Sequence, residues 1–131
     1  ADLLRFLLDT HSLLWFLSGD AGLSERARRL IENPDHDILV SIASLWEIAI
    51  KHSLGKLKLA QPFEEIFPRQ LEINSLTLLG IRLPHLVRVS SLPFRHRDPF
   101  DRLLIAQSLS EEVPVLSADD AFDDYGVERI W

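Results

Sequence analysis

The chain of 131 residues contains no cysteine. Disulfides, thiolate metal sites and thiol catalysis are therefore excluded, and the absence suits a reducing compartment. Internal repeats, low-complexity tracts and an interdomain linker are missing as well. With 47% hydrophobic and 26% charged residues, the composition is that of an ordinary globular protein, and we expect a single domain over residues 1–131.

A long uninterrupted apolar run is also absent. The first stretch, ADLLRFLLDTHSLLWFL, is apolar overall, but Arg5, Asp9 and His11 interrupt it, and no small-residue cleavage site follows. This pattern argues against a signal peptide and against a membrane span. We therefore expect a soluble cytoplasmic protein without a membrane contact.

The sequence lacks an excess of positive charge, since its formal net charge is −6 at pH 7. Proteins that hold nucleic acid through their overall field are basic, so any such contact here must come from local cations. Each candidate cation can equally be an ordinary solvated charge. The candidates form two clusters close to acidic residues: Lys51, His52, Lys56 and Lys58, and then Arg95, His96, Arg97 and Arg102.

Short apolar runs alternate with helix-like segments along the chain. Because parallel strands need crossover connections, which are usually helical, this alternation indicates an α/β sandwich with a mostly parallel sheet. The apolar runs predict strands at 3–8, 37–41, 76–81, 113–117 and 127–131. Helices are predicted at 12–17, 24–33, 44–54, 83–92 and from Pro99, with two short helices or a kink around Pro68 and helical turns at 118–125.

Acidic residues follow several of the predicted strands. Asp9 comes directly after the first strand and Asp119 directly after the fourth, while Glu47 and Asp101 each lie in the first turn of a predicted helix. The carboxyl ends of parallel strands meet at one edge of the sheet, where ligands bind. Clustered carboxylates repel each other unless a cation compensates, and Mg²⁺ or Mn²⁺ prefers such oxygen ligands. A metal site at this edge is one interpretation.

Each acid also fits a helix-start role, because carboxylates there accept hydrogen bonds from free backbone N–H groups. Asp101 fits this role less well, since it shares a helical face with Leu104 and Ile105 and its carboxylate then faces inward. The residues alone leave both interpretations open. The helix-start alternative takes Asp9 as a cap, Ser44 with Glu47 as a capping box, Asp98 as the cap before Pro99, and Asp119 with Asp120 as the start of a short helix.

The chain resembles the PIN domain, and specifically the VapC-type toxins of bacterial toxin–antitoxin pairs. Four runs in the same order carry the resemblance: LLDTHSLLWFL, SIASLWEIAIKHSLGKL, HRDPFDRLLIAQSL and LSADDAFDDYGV. The resemblance implies a three-layer α/β/α sandwich and a metal-dependent endoribonuclease whose acids bind Mg²⁺ or Mn²⁺. It also implies an RNA substrate, a cognate antitoxin that covers the acidic edge, and a homodimer.

The resemblance places the metal ligands on particular acids, which would activate a water molecule for hydrolysis of an RNA phosphodiester. It implies that three of them hold one ion directly and that the fourth binds through water or helps to place a second ion. No histidine is needed as a general base. The ligands are Asp9, Glu47, Asp101 and Asp119 in that order, with Asp98 as second choice for the third and Asp120 beside the fourth.

Other residues near the acids receive structural expectations. His11 and His96 are expected to be structural or solvated, because neither belongs to a paired catalytic motif. Trp15, Trp46 and Phe100 have apolar neighbours and are expected in the core, with base stacking as the alternative. Thr10 and Ser117 can donate hydrogen bonds at the site, although turn and cap roles suit them equally.

Two other functions remain open. In a magnesium-dependent phosphohydrolase, Asp9 would be the nucleophile and the remaining acids would hold the ion. Such a site usually has paired acids near the first strand, whereas Thr10 and His11 follow Asp9 here. A non-catalytic interaction module would bind no divalent ion with useful affinity.

Overall fold

The computed structural model describes residues 4–131 and contains one five-stranded sheet in that range. Its strands are β1 (Leu4–Leu8), β2 (His36–Ser41), β3 (Leu76–Leu79), β4 (Val115–Leu116) and β5 (Arg129–Ile130). They lie in the order β3-β2-β1-β4-β5, and every neighbouring pair is parallel. The prediction of a parallel α/β sandwich is confirmed. Leu3, which the predicted first strand includes, lies outside the described residues.

Seven α-helices and one 3₁₀-helix connect the described strands. The 3₁₀-helix (Asp120–Tyr125) occupies the predicted helical turns, and two short helices flank Pro68 as expected, because proline interrupts the helical hydrogen-bond ladder. Within residues 4–131, no helix combines the length and the apolar character needed to cross a membrane. The α-helices are α1 (Thr10–Ser18), α2 (Glu25–Glu32), α3 (Ile42–Ser53), α4 (Phe63–Ile66), α5 (Arg69–Ile73), α6 (Leu83–Ser91) and α7 (Pro99–Glu111).

Two buried clusters of apolar side chains show that both faces of the sheet are covered. Successive side chains of a strand point to opposite faces. In β1, Phe6 and Leu8 belong to one cluster and Leu7 belongs to the other. The first cluster contains side chains of α1, α2 and α3, and the second contains the buried face of α7 and Phe122 of the 3₁₀-helix. These layers form the expected α/β/α arrangement.

The starts of two helices differ from the prediction. Helix α1 begins at Thr10, because Asp9 Oδ1 accepts a hydrogen bond from the Ser12 backbone N–H at 2.8 Å and caps the helix. Helix α3 begins at Ile42, because Ser41 Oγ accepts from the Ala43 N–H at 3.0 Å. The expected start at Ser44 is therefore wrong.

The earlier start of α3 also removes the predicted capping box. Ser44 Oγ accepts a hydrogen bond from Thr10 Oγ1 at 3.0 Å, instead of capping a helix. Glu47 then lies in the second turn of α3 rather than in the first, and its side chain is buried. A helix-start role no longer explains why a carboxylate occupies this position.

Candidate metal centre

Asp9 is fixed at the carboxyl end of β1 and is only 5% exposed. Its Oδ1 caps α1, and its Oδ2 accepts a hydrogen bond from Ser117 Oγ at 2.6 Å. Ser117 Oγ in turn accepts from the Asp119 N–H at 3.0 Å, so that one hydroxyl connects the residues that follow β1 and β4. The expectation that Ser117 donates a hydrogen bond at this site is confirmed, whereas Thr10 donates to Ser44.

Glu47 is 3% exposed, and its carboxylate pairs with the Lys51 ammonium one turn further along α3. The hydrogen bond to Glu47 is the main cause of a raised pKa at Lys51, and the negative charges of Asp98 and Asp101 add to it. These two acids belong to the start of α7, which packs against α3. Lys51 therefore places one positive charge among carboxylates from separate parts of the chain.

Asp101 faces inward from the first turn of α7, as its position beside Leu104 and Ile105 predicts. Burial raises the pKa of its carboxyl to about 7, and the negative charge of Asp98 is the next largest cause. Glu47 and Asp9 raise this pKa further, whereas His96 lowers it. Carboxylates from β1, α3 and α7 thus lie close enough to repel one another.

The remaining predicted acids lie at helix starts on the same side of the molecule. Asp98 Oδ1 caps α7 by accepting from the N–H groups of Phe100 at 2.8 Å and Asp101 at 3.1 Å. Asp119 is exposed and caps the 3₁₀-helix through the Ala121 N–H at 3.0 Å, and Asp120 is exposed beside it. The capping predictions for Asp98 and Asp119 are confirmed, and each leaves the second carboxylate oxygen outside the cap.

His96 joins the acids, although the sequence pattern does not single it out. Ligand atoms of His96, Asp101 and Asp119 lie within 4.8 Å of one another, and no group this tight among residues 4–131 includes Asp9 or Glu47. His96 Nε2 lies 3.0 Å from Asp101 Oδ2, but the angles do not suit a hydrogen bond, and this buried nitrogen has no partner in the described chain. A signal was present in the sequence, because His96 begins the run HRDPFD that carries two of the acids.

The loop that carries His96 is held from two sides. Tyr125 Oη accepts hydrogen bonds from the N–H groups of Arg95 at 3.0 Å and His96 at 2.7 Å. The Arg102 guanidinium lies 3.1 to 3.5 Å from the carbonyl oxygens of Val89, Leu92, Pro93 and His96 and 4.9 Å from the Phe94 ring. The guanidinium of Arg102, one of the candidate cations, is therefore engaged by carbonyl oxygens of the protein.

The expected core positions of the aromatic side chains hold only in part. Trp15 is half-buried and packs 5.9 Å from Trp131 against a core cluster. Trp46 is 54% exposed, so its assignment to the core is wrong. The reason is the geometry of α3, which turns Glu47 and Ile48 inward and leaves the preceding residue on the outer side.

Two cavities border the acids and share the side chains of His11 and Trp15. A cavity of 310 Å³ is lined by Asp9, Ala118 and Asp119. Its neighbour of 370 Å³ is lined by Thr10, Glu47, Lys51 and Lys56, among others. A small anionic ligand with its counter-ion can therefore approach the carboxylates from solvent.

The other candidate cations differ in how free they are to contact a ligand. Lys56, Lys58 and Arg97 are exposed, and Arg95 donates to the Asp124 carbonyl at 3.0 Å.

The fold and the site together define an α/β/α protein with inward-facing carboxylates next to the carboxyl end of a parallel sheet. The sequence profile of the PIN domain matches residues 6–128. The chain belongs to the PIN domain family. PIN domains are generally metal-dependent nucleases, and the acidic group described above agrees with the divalent metals that these nucleases usually use.

Solved structures share this fold at low sequence identity. VapBC from Salmonella typhimurium, in a DNA-bound crystal structure, has a TM-score of 0.73 and 17% identity, with 98% of both chains covered. VapBC2 from Rickettsia felis, bound to a DNA fragment from its promoter, has a TM-score of 0.72 and 12% identity, with 97% of this chain and 98% of that chain covered. FitAcB from Neisseria gonorrhoeae has a TM-score of 0.66 and 17% identity, with 96% of each chain covered. No curated protein sequence matches the chain significantly.

Proposed function

We propose that this chain is a metal-dependent endoribonuclease and acts in the cytoplasm as the VapC-type toxin of a toxin–antitoxin pair. The observation that carries the proposal is the inward-facing, half-buried Asp101 carboxyl, whose pKa is raised to about 7 by burial and by the charges of Asp98, Glu47 and Asp9. A protein gains nothing in stability from such a cluster, because like charges and desolvation both oppose it. A divalent cation removes this cost. Membership of the PIN domain family supports the same proposal of a metal-dependent nuclease.

The donor set fits Mg²⁺ or Mn²⁺, because carboxylate oxygens at a partly open cleft are what these hard ions prefer. We propose Asp9, Glu47 and Asp101 as direct ligands, so that ion binding draws Asp9 and Glu47 toward Asp101, and Asp119, which already lies in a tight group with Asp101 and His96, as a ligand through water or to a second ion. Asp98 remains the alternative for the third position, and Asp120 the alternative for the fourth. When bound, the ion supplies an acidified water and offsets the charge of the attacked phosphodiester.

The chain's own residues orient these ligands. The Ser12 N–H and Ser117 Oγ fix both oxygens of Asp9, so its carboxylate has one orientation. The ammonium of Lys51 and the exposed Lys56 lie along the cavity next to Glu47, where they would contact RNA phosphates. This local positive charge offsets the negative charge of the whole protein.

A phosphohydrolase with Asp9 as nucleophile is disfavoured by the sequence, because Thr10 and His11 rather than a second acid follow Asp9. Hydrogen bonds to a carboxylate orient it as a metal ligand. In this structure, Oδ1 accepts from the Ser12 N–H and Oδ2 accepts from Ser117 Oγ. Asp9 is therefore held as an oriented ligand would be held. The other alternative, a non-catalytic interaction module, predicts that the chain binds no divalent ion, and a measurement of metal binding tests it.

Two protein partners belong to the proposal. A cognate antitoxin rests on the resemblance to VapC-type toxins and on the fold shared with the chains of VapBC structures. A homodimer rests on the same resemblance. Exposed apolar side chains on α6, namely Leu83, Leu86 and Val87, provide surface for protein contacts of this kind.

The proposal is tested with purified chain free of antitoxin, incubated with mixed structured RNAs in Mg²⁺, Mn²⁺ or EDTA. We expect metal-dependent cleavage that is lost in Asp9→Asn and Asp101→Asn and kept in Asp124→Asn, an exposed control with the same chemical change. Calorimetric titration with Mn²⁺ measures ion binding separately. If only Asp98→Asn, and not Asp101→Asn, abolishes activity, Asp98 is the third ligand. A folded wild type that neither cuts RNA nor binds metal refutes the nuclease proposal.

A further inference from the structure

Two aromatic rings lie outside the core, on the two helices that carry Glu47 and Asp101. Trp46 on α3 and Phe100 on α7 contact each other edge to face, with ring centroids 5.1 Å apart and an angle of 80° between their planes. Neither ring belongs to the two core clusters, and the indole is 54% exposed. Phe100 therefore supports Trp46 without covering it.

The position of the pair relates it to the candidate metal centre. Trp46 directly precedes Glu47, and Phe100 directly precedes Asp101. Both acids turn inward, so that the backbone of each helix presents a carboxylate on one side and an aromatic ring beside it. Lys51 lies on the same helix as Trp46, and its half-exposed ammonium carries positive charge next to Glu47.

An exposed aromatic ring on the helices that carry Glu47, Lys51 and Asp101 suits one class of ligand. Unpaired bases of RNA stack on exposed aromatic side chains, while their phosphates need cations or metal ions. A protein partner would find a larger apolar surface elsewhere, on α6, where Leu83, Leu86 and Val87 are exposed together. The mixture of one indole with surrounding charges favours a nucleotide.

We propose that Trp46, held by Phe100, is a stacking platform for an unpaired base of RNA next to the phosphodiester at the candidate metal centre. This inference rests on the proposed endoribonuclease function and adds the binding of single-stranded RNA to it. The platform binds a base without reading its hydrogen-bonding edge, so it selects for unpaired structure rather than for a particular nucleotide.

The test measures binding of short single-stranded RNAs of mixed sequence, each with one 2-aminopurine at a defined position. Asp9→Asn protein keeps the RNA intact. We expect stacking to quench the 2-aminopurine fluorescence at one position, and Trp46→Leu to abolish this quenching and raise Kd roughly 5- to 150-fold, the equivalent of about 1–3 kcal/mol per stacked base. Trp46→Phe should restore part of both signals. Ile73→Ala, another exposed apolar position, should leave them unchanged.

Steady-state kinetics and light scattering separate the outcomes. In protein with Asp9 intact, we expect Trp46→Leu to raise KM strongly and to change kcat little, because the metal ligands remain. Equal KM and Kd for wild type and Trp46→Leu, in protein that still cleaves RNA, overturn the platform but not the nuclease. A change of oligomeric state in Trp46→Leu with unchanged RNA affinity also overturns it and assigns Trp46 to a protein interface. Failure of the wild type to bind or cut any RNA refutes the proposed function itself.

Discussion

Replacement of Asp101 by asparagine should stabilise the metal-free protein while it destroys metal binding. The carboxyl of Asp101 has an ordinary pKa of 3.8 and a pKa of about 7 in the folded chain. Between these values the folded state binds more protons than the unfolded state, so the free energy of unfolding falls as the pH rises. The neutral amide of Asp101→Asn has the same shape and carries no such penalty.

The structure sets the size of the effect. One pKa unit corresponds to about 1.4 kcal/mol, so the two pH units between about pH 5 and pH 7 correspond to at most about 3 kcal/mol. The side chain of Asp101 retains 21% exposure. Because solvent screens part of the repulsion, we expect about 1–2 kcal/mol, which is about 4–8 °C in Tm for a chain of this length.

Thermal unfolding in EDTA at a series of pH values measures this prediction. Wild type should lose stability from pH 5 to pH 8, and the Tm of Asp101→Asn should change less over the same range. Asp124→Asn serves as the control, because Asp124 is exposed and the substitution makes the same chemical change. Added Mg²⁺ should then raise the Tm of wild type but not that of Asp101→Asn. If the Tm of wild type and that of Asp101→Asn change in parallel with pH, the pKa of Asp101 is not raised in the folded chain. The argument for a cation would then lose its basis.

Three further substitutions test other contacts. Lys51→Met leaves the buried Glu47 carboxylate without its ammonium, so we expect a loss of about 1–2 kcal/mol in EDTA and a larger stabilisation by Mg²⁺ than in wild type; an equal response to Mg²⁺ would contradict this. Tyr125→Phe removes the acceptor of two backbone N–H groups, at a cost of about 1 kcal/mol, and should speed tryptic cleavage after Arg95 and Arg97 in folded protein; unchanged cleavage would show that the loop does not need the hydroxyl. His85→Leu should cost about 2 kcal/mol in denaturant unfolding, because the Arg82 N–H and the Glu111 carboxylate lose their buried partner. In the same variant, the pKa of Glu111, which the His85 hydrogen bond lowers, should return toward its ordinary value in an NMR titration.

The positions of the strands along the chain and their parallel arrangement could be predicted from the sequence, because most strands lie in short apolar runs. Both faces of β1 and β2 are covered, so consecutive apolar residues occupy positions 6–8 and 38–40, as is typical of parallel strands. The lengths of β4 and β5 could not be predicted. Each pairs over only two residues, and the apolar residues around them, such as Val113 and Val127, are buried without joining the ladder.

The start of α3 could not be predicted because two serines compete for the cap. Ser41 and Ser44 are both suited to an N-cap, and Ser44 precedes Glu47 at the spacing of a capping box. The choice between them depends on Thr10, whose hydroxyl lies beside Ser44 only after β1 and β2 have paired. That contact is distant in sequence, and it also decides that Glu47 turns inward and Trp46 outward.

The run HRDPFD places His96 close to two acids in sequence, but the contact of its ring with Asp101 could not be predicted for a similar reason. Its position depends on hydrogen bonds from its own backbone to Tyr125, 29 residues later, and on Arg102 in the next helix. A histidine in a basic loop normally remains solvated. Here the loop is tied down at both ends, and the ring is brought against Asp101.

The two interpretations of the acids, as helix caps and as metal ligands, are compatible in this structure. A cap uses one carboxylate oxygen and fixes the side chain, as the Oδ1 atoms of Asp9, Asp98 and Asp119 show. A fixed carboxylate loses less rotational freedom when it binds an ion through its other oxygen. Helix starts at the edge of a parallel sheet therefore both stabilise the fold and orient acids toward a common cleft. Glu47 and Asp101 cap nothing, and their inward orientation is what the metal-ligand interpretation requires.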